Sequence, residues 1–196
     1  MIKKINISLI LVAIIGSLYF IFTKDDSIIL VLKDLSIILT INALNVIQKI
    51  FKIKINDGIN LLYIIFVFMA HFLGVTCELY NHIYWFDKFV HFLSGIVTSF
   101  IVIYILTKLK SNKSIIFNIL FILSFTLSVA AFWEMFEYLC SYYFKIDPQK
   151  VIETGVIDTM HDILVAFLGS ILVCICYLFE IKNKYNLLIS NFIKKV

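Results

Sequence analysis

The chain has 196 residues, of which 62% are hydrophobic, and its mean hydropathy is +1.01. A soluble domain is roughly 45–50% apolar, and here the apolar residues form long blocks, so the composition excludes an ordinary soluble domain and indicates a membrane protein. The net charge of +4 does not indicate a nucleic-acid partner, because all 17 basic residues are lysines that lie between apolar blocks rather than in one patch.

In chain order, the apolar blocks predict an all-α bundle of six transmembrane helices at 5–23, 27–48, 59–78, 87–107, 114–143 and 158–179. The first block lacks a small-x-small cleavage site, so we expect a retained helix rather than a signal peptide. The fifth block is longer than a bilayer needs, which predicts an end that projects or tilts. We expect one transmembrane domain over 1–182 and a cytoplasmic, interfacial tail over 183–196.

Lysine asymmetry predicts the orientation of the helices. Twelve lysines fall in the N-terminus, the second and fourth interhelical loops and the tail, whereas four fall in the other three loops. Cytoplasmic segments of membrane proteins carry the excess of basic residues, so both termini are predicted to be cytoplasmic. The chain is therefore expected to be a multi-pass membrane protein.

Ionisable side chains recur at helical spacing near the ends of the last four blocks. Asp87 and His91 lie one turn apart on the fourth block, and Glu134 and Glu137 lie three residues apart on the fifth. The chain directions place these groups near the outer boundary of the membrane. The whole set is His71, Glu78, Asp87, His91, Glu134, Glu137, Asp158, His161 and Asp162.

This clustering of acids is energetically unfavourable unless something neutralises them. Few lysines are expected nearby, so either several carboxyl groups are protonated or a cation lies among them. Carboxylate and imidazole ligands together suit Zn, Mn or Fe, whereas a carboxylate-only subset suits Mg or Ca. Small residues beneath the polar groups, among them Gly95, Ala166 and Gly169, predict close helix approach.

Each polar group also has a purely structural interpretation. Asp87 and Asp158 suit helix N-terminal positions, where a carboxylate caps the helix or complements its dipole. A single buried histidine is more often hydrogen-bonded than metal-bound. Four other residues lie within helices and cannot all be caps, which favours a shared site: His91, Glu134, Glu137 and Asp162.

Three short blocks carry a family resemblance. They are Asp87-Lys-Phe-Val-His91-Phe-x-x-Gly95, then Glu134-x-x-Glu137, then Gly155-x-x-Asp158-Thr-x-x-Asp162. This pattern resembles the YjdF-like family of uncharacterised bacterial inner-membrane proteins, and its first block also resembles the VanZ-like family associated with glycopeptide resistance. Glu137 and Asp162 stand where the VanZ-like pattern has Gln and Asn, which favours the YjdF-like resemblance. Neither resemblance implies a settled reaction.

The leading hypothesis is a metal-dependent membrane hydrolase that acts on a lipid or lipid-linked envelope precursor. The predicted ligands of a divalent ion (Zn, Mn, Fe or Mg) are His91, Glu134, Glu137 and Asp162. Three further residues are predicted to orient ligands or to act as the general base: Asp87, Asp158 and His161.

Two other function classes stay open from the sequence. One is an ion- or proton-coupled transporter, which needs a polar path between the two faces of the membrane. The other is a non-catalytic resistance factor that binds a lipid or an antibiotic. Membrane lipids are the expected partners, and the sequence does not indicate an oligomeric state. Cys77 and Cys140 both map near the outer surface, although buried free thiols are favoured over a disulfide.

Overall fold

The computed structural model of the chain describes residues 15, 40–42, 44–46, 48–50, 52, 54–55, 57–109, 114–145 and 147–183. The predicted span at 5–23 and most of the span at 27–48 lie outside these residues, as does nearly all of the tail at 183–196. Residues 40–42, 44–46 and 48–50 are helical.

The elements that follow residue 56 are helices separated by short loops. Over the described residues the chain contains no strand. The helices are α1 (Asp57–Val67), which continues directly into a π-helical segment (Phe68–Thr76), then α2 (Leu79–His82), α3 (Phe86–Lys108), α4 (Ile115–Phe144), α5 (Val151–Thr154) and α6 (Ile157–Asn183).

Four of the helices are long and apolar enough to cross a membrane. They cover Asp57–Thr76, Phe86–Lys108, Ile115–Tyr143 and Ile157–Asn183, which correspond to the third to sixth predicted spans. The predicted fold class, a helical membrane protein, is therefore confirmed. The count of six spans, the cytoplasmic location of both termini and the single domain remain predictions.

Local sequence explains where α4 begins and ends. The Ser114 hydroxyl accepts a hydrogen bond from the Phe117 amide at 3.2 Å, which caps the first turn. Lys145 ends the helix in a left-handed conformation with φ of 58°. The 30 residues of α4 rise about 45 Å, whereas the hydrocarbon core is about 30 Å thick. The prediction that this helix exceeds the bilayer in length is thus consistent with its bounds.

The chain divides into two compact units, Met1–Phe86 and Asp87–Val196. In the first unit, Ile41, Val67 and Phe72 form a buried apolar cluster. The Tyr63 hydroxyl donates a hydrogen bond to the Thr40 carbonyl at 3.0 Å and so joins α1 to the helical residues before it.

In the second unit, α3, α4 and α6 share one apolar core. Its buried residues are Val102 and Ile103 on α3, Ile122 on α4, and Val173 and Cys174 on α6. This core lies in the half of the unit away from the first turns of α3 and α6. It fixes the three helices that carry most of the predicted site residues.

Two glycines allow α3 and α6 to touch through their backbones. A Cβ atom at Gly95 would collide with the Ala166 carbonyl oxygen, and a Cβ atom at Gly169 would collide with the Phe92 carbonyl oxygen. The predicted close approach through small residues is confirmed at this contact. It lies one to two turns from His91 and Asp162, so the side chains of these two residues project into a narrow space.

Candidate functional site

The first turns of α3 carry three charged or titratable side chains. Asp87, Lys88 and His91 all follow directly from the start of the helix at Phe86, and His91 is buried. Because Asp87 and His91 are four residues apart, they lie on one face. His91 Nε2 is 3.7 Å from Asp87 Oδ1.

The first turns of α6 bring two buried carboxylates to the same place. Asp158 and Asp162 are also four residues apart, and they are 6% and 2% exposed. Both accept hydrogen bonds from the Lys88 ammonium, at 2.5 Å for Asp158 Oδ1 and at 2.8 and 2.9 Å for the two oxygens of Asp162. Lys88 Nζ is also 3.4 Å from Asp87 Oδ2. One ammonium therefore contacts three aspartates.

A second lysine reaches these carboxylates from the loop between α4 and α5. Lys150 donates to Asp87 Oδ2 at 3.2 Å and lies 4.0 Å from Asp158 Oδ2. Its backbone is left-handed, with φ of 51°, a conformation that costs a non-glycine residue of order 1 kcal/mol or more. The Asp147 carboxylate supports this backbone by accepting hydrogen bonds from the amides of Val151 and Ile152 at 2.8 and 3.0 Å.

Three of these side chains lie close enough together to be candidate ligands of one metal ion. One atom each from Asp87, His91 and Asp162 lies within 4.8 Å of the other two. His91 Nε2 is 3.8 Å from Asp162 Oδ1. It is the candidate metal-ligand group found among the described residues, and it combines one imidazole with two carboxylates from two helices.

Glu134 lies beside this group on α4 and is 4% exposed. It is close enough to His91 and Asp162 to interact with both electrostatically. Its backbone carbonyl and its Oε2 atom accept hydrogen bonds from Gln149 Nε2, at 2.9 and 3.0 Å. Its Oε1 atom is buried and has no hydrogen-bond partner among the described residues.

The remaining predicted residues have other surroundings. Glu137 is partly buried, accepts a hydrogen bond from Trp133 Nε1 at 2.8 Å, and interacts electrostatically with Glu134 and Asp162. His161 is exposed at the start of α6. His71 lies in the π-helical segment and Glu78 follows it, so both belong to the first compact unit.

The structure thus brings together Asp87, His91, Asp158 and Asp162, and it places Glu134 next to them. The sequence predicts few lysines nearby, and among the described residues two, Lys88 and Lys150, pair with these aspartates. The sequence offered one signal for Lys88, its position between Asp87 and His91 in the first of the three motif blocks. Gln149 and Lys150, which lie in a loop, carried no such signal.

The charges of the site do not balance through the lysines alone. Five carboxyl groups, those of Asp87, Glu134, Glu137, Asp158 and Asp162, interact with one another, whereas two ammonium groups contact them. In a largely buried site such an excess of carboxylates requires bound protons or a further cation.

All four cysteines are free thiols in the structure. Cys77 directly follows the π-helical segment, outside the membrane-spanning helices, and burial raises the pKa of its thiol. It is therefore mainly protonated at neutral pH, which makes it a weak nucleophile.

A family model described as "predicted membrane protein (DUF2238)" matches residues 5–183. The chain belongs to the DUF2238 family. This membership agrees with the expected family of uncharacterised membrane proteins, while the YjdF-like and VanZ-like resemblances stay predictions. No curated protein and no solved structure matches this DUF2238 protein. The function of the site must accordingly be argued from its geometry and chemistry.

Proposed function

We propose that this DUF2238 protein is a metal-dependent hydrolase of the bacterial cytoplasmic membrane that acts on a lipid or lipid-linked envelope precursor. The observation that carries the proposal is the group formed by the half-buried Asp87 and the buried His91 and Asp162. In this proposal the first turns of α3 and α6 face the outer leaflet, as the lysine asymmetry predicts.

The donor atoms are of the kinds that bind a small divalent cation, and their separations come close to those around such an ion. Ligand atoms around a metal with bonds of 2.0–2.2 Å are separated by about 3.0–3.5 Å. The distances from His91 Nε2 to Asp87 and to Asp162, 3.7 and 3.8 Å, exceed this range by a few tenths of an ångström. An imidazole with two carboxylates suits Zn, Mn or Fe better than Mg.

Lys88 competes for the same carboxylates. Its ammonium donates to both oxygens of Asp162, so a cation at that residue requires the lysine to withdraw. The Lys88 side chain is 25% exposed, and its long, flexible stem allows this movement. Asp87, His91 and Asp162 are thus the proposed ligands, and Glu134 and Glu137 supply further negative charge around them.

When bound, the cation would polarise an oxygen of the scissile group and assist the ionisation of water. Asp158 is the proposed proton acceptor, since its Oδ2 atom is buried and has no hydrogen-bond partner among the described residues. Lys150, 4.0 Å from that atom, is placed to bind an anionic oxygen of the substrate. His161 is exposed, and we give it no role in the chemistry.

Elemental analysis of protein purified without chelator tests the proposal. We expect about one equivalent of a divalent metal in the wild type and much less in His91→Ala and Asp162→Asn. His161→Ala, which removes an exposed histidine from the same end of α6, is the matched control and should keep its metal. Equal metal content in wild type and His91→Ala would show that the group does not bind metal.

A second assay tests the hydrolysis itself. Phospholipid vesicles that contain the purified protein should release water-soluble headgroup, and chelator should stop the release until metal is restored. Protein that retains metal but releases no headgroup from any phospholipid would exclude phospholipids and restrict the proposed substrate to a lipid-linked envelope precursor.

The transporter is the second candidate because the interior of the second unit contains polar side chains below the site. Ser99 and Thr126 are buried, and their hydroxyl oxygens are 3.4 Å apart. Asn118 and Glu180 are buried nearer the end of the unit opposite the site. The apolar core around Val102 interrupts this series. A flux of protons or metal ions across proteoliposomes, absent in Asp162→Asn, would support the transporter over the hydrolase.

A further inference from the structure

A groove beside the charged cluster has the features of a lipid-binding site. It has a volume of about 470 Å³ and lies between α4, the residues that precede α6, and the first turns of α6. Pockets that bind small molecules typically have volumes of about 300–1,000 Å³. Most of the lining is apolar, from Ala131, Met135, Val156 and Ile163 among others.

The groove opens on the outside of the helices. Met135, which lines it from α4, is 59% exposed. In a helix that crosses a bilayer, exposed apolar side chains face acyl chains rather than water. Lipid therefore has direct lateral access to this groove.

One acceptor atom inside the groove lacks a donor. Glu134 lines the groove, is 4% exposed, and has a buried Oε1 atom without a hydrogen-bond partner among the described residues, although the Thr159 hydroxyl of the lining lies near the carboxylate. The other oxygen is held by Gln149, which also lines the groove. A buried carboxylate oxygen left unpaired is unfavourable by roughly 1–3 kcal/mol or more, so a donor from a ligand would be stabilising there.

Depth also favours a headgroup at this position. Glu134 is 19 residues after Ile115, the first residue of α4, which corresponds to a rise of about 28 Å along the helix. The hydrocarbon core is about 30 Å thick. Glu134 accordingly lies where the acyl chains of one leaflet meet its headgroups.

We propose that this groove binds a phospholipid whose headgroup ends in a primary ammonium, with the ammonium donating to Glu134 Oε1 and an acyl chain along the apolar wall. An ammonium is both a hydrogen-bond donor and a positive charge, and thus complements the carboxylates of Glu134 and its neighbour Glu137. The inference rests on the proposed function, because it names the class of lipid presented to the cluster of Asp87, His91 and Asp162.

Lipid binding by the full-length protein in detergent tests the proposal, with chelator present so that metal plays no part. Three phospholipids with identical acyl chains are compared. Phosphatidylethanolamine has an ammonium with N–H donors, phosphatidylcholine has the same charge without a donor, and phosphatidylglycerol has hydroxyl donors without the positive charge. We expect phosphatidylethanolamine to bind about tenfold more tightly than either of the others, as one charge-assisted hydrogen bond predicts.

Two variants separate the headgroup contact from the groove itself. Glu134→Leu should reduce the binding of phosphatidylethanolamine to the level of phosphatidylcholine. Ala131→Phe fills the groove from α4 and should weaken the binding of all three lipids. Val129→Phe adds an equally large side chain at an exposed α4 position outside the lining and should leave the binding of all three unchanged. Should Glu134→Leu not fold, the Ala131 and Val129 pair still tests the groove.

Equal binding of phosphatidylethanolamine and phosphatidylcholine would overturn the proposal, as would phosphatidylglycerol that binds as tightly as phosphatidylethanolamine. Metal content measured on the same protein preparations before chelator is added distinguishes this inference from the proposed function. Selective lipid binding by a protein that holds no metal would support the lipid site and contradict the metal-dependent hydrolase. Metal binding without lipid selectivity would support the metal site and contradict the lipid site.

Discussion

Replacing Lys88 by methionine offers the most informative perturbation of the site. The Lys88 ammonium contacts three aspartates, and two of them, Asp158 and Asp162, have side chains that are 8% and 3% exposed. Methionine keeps an unbranched apolar stem of similar length and removes the charge together with the hydrogen bonds that the ammonium donates. The aspartates then lose their nearest cation while they stay buried.

The expected loss of stability follows from this burial. Breaking a buried ion pair by removing one partner costs about 3–5 kcal/mol. Since a quarter of the Lys88 side chain is exposed to solvent, we expect about 3 kcal/mol, at the lower end of that range. For a chain of this length such a change lowers Tm by roughly 6–12 °C.

A divalent cation should reverse this loss if the site binds metal. Two unit charges 4 Å apart repel by about 4 kcal/mol at an effective dielectric constant of 20, so loss of the ammonium should raise metal affinity at least about tenfold. A cation at 100 times its Kd stabilises the folded protein by about 2.7 kcal/mol. Metal should therefore restore most of the stability that Lys88→Met loses.

Thermal unfolding in detergent with and without added Zn²⁺ or Mn²⁺, together with metal titration, provides the measurement. Lys182→Met removes an exposed lysine at the far end of α6 and serves as the matched control. The reasoning is refuted if Lys88→Met is as stable as the wild type without metal, or if it binds metal no more tightly.

Three further predictions concern other contacts. Gly95→Leu should push α3 away from the Ala166 carbonyl, lower stability by about 1–3 kcal/mol and reduce metal content, as thermal unfolding and elemental analysis would show. Gln149→Leu should leave Glu134 without its donor and lower stability by about 1–3 kcal/mol, whereas Asn183→Leu at the exposed end of α6 should not. Because burial raises the pKa of Cys77, its maleimide labelling should be slow at pH 7 and accelerate toward alkaline pH; fast labelling at pH 7 would contradict this.

The apolar pattern predicted the helices that position the site. Blocks of about 20 or more apolar residues are separated by short polar segments, and the third to sixth blocks match the four long helices to within a few residues. The pairing of Asp87 with His91 was also predictable, because a separation of four residues is one helical turn. The contact of Gly95 with α6 followed from the same periodicity, combined with the preference for small residues at membrane helix contacts.

The ion pairs could not be predicted in this way. Lys88 contacts partners that are 70 and 74 residues away along the chain. A local sequence pattern does not indicate which residues so far apart in the chain will be in contact. Consecutive residues on a helix are rotated by about 100°, so the exposure of His161 next to the buried Asp162 depends on how α6 is turned within the bundle. Lys150 owes its position to a left-handed backbone that its residue type does not favour.

The consecutive residues Gln149 and Lys150 give the loop before α5 a linking role. One holds the Glu134 carboxylate in the groove, and the next holds Asp87 in the charged cluster. A ligand that displaces the backbone at Gln149 would displace Lys150 as well, since a single peptide bond joins them. Occupancy of the groove and occupancy of the cluster are then thermodynamically reciprocal, so that each would alter the affinity of the other by the same factor.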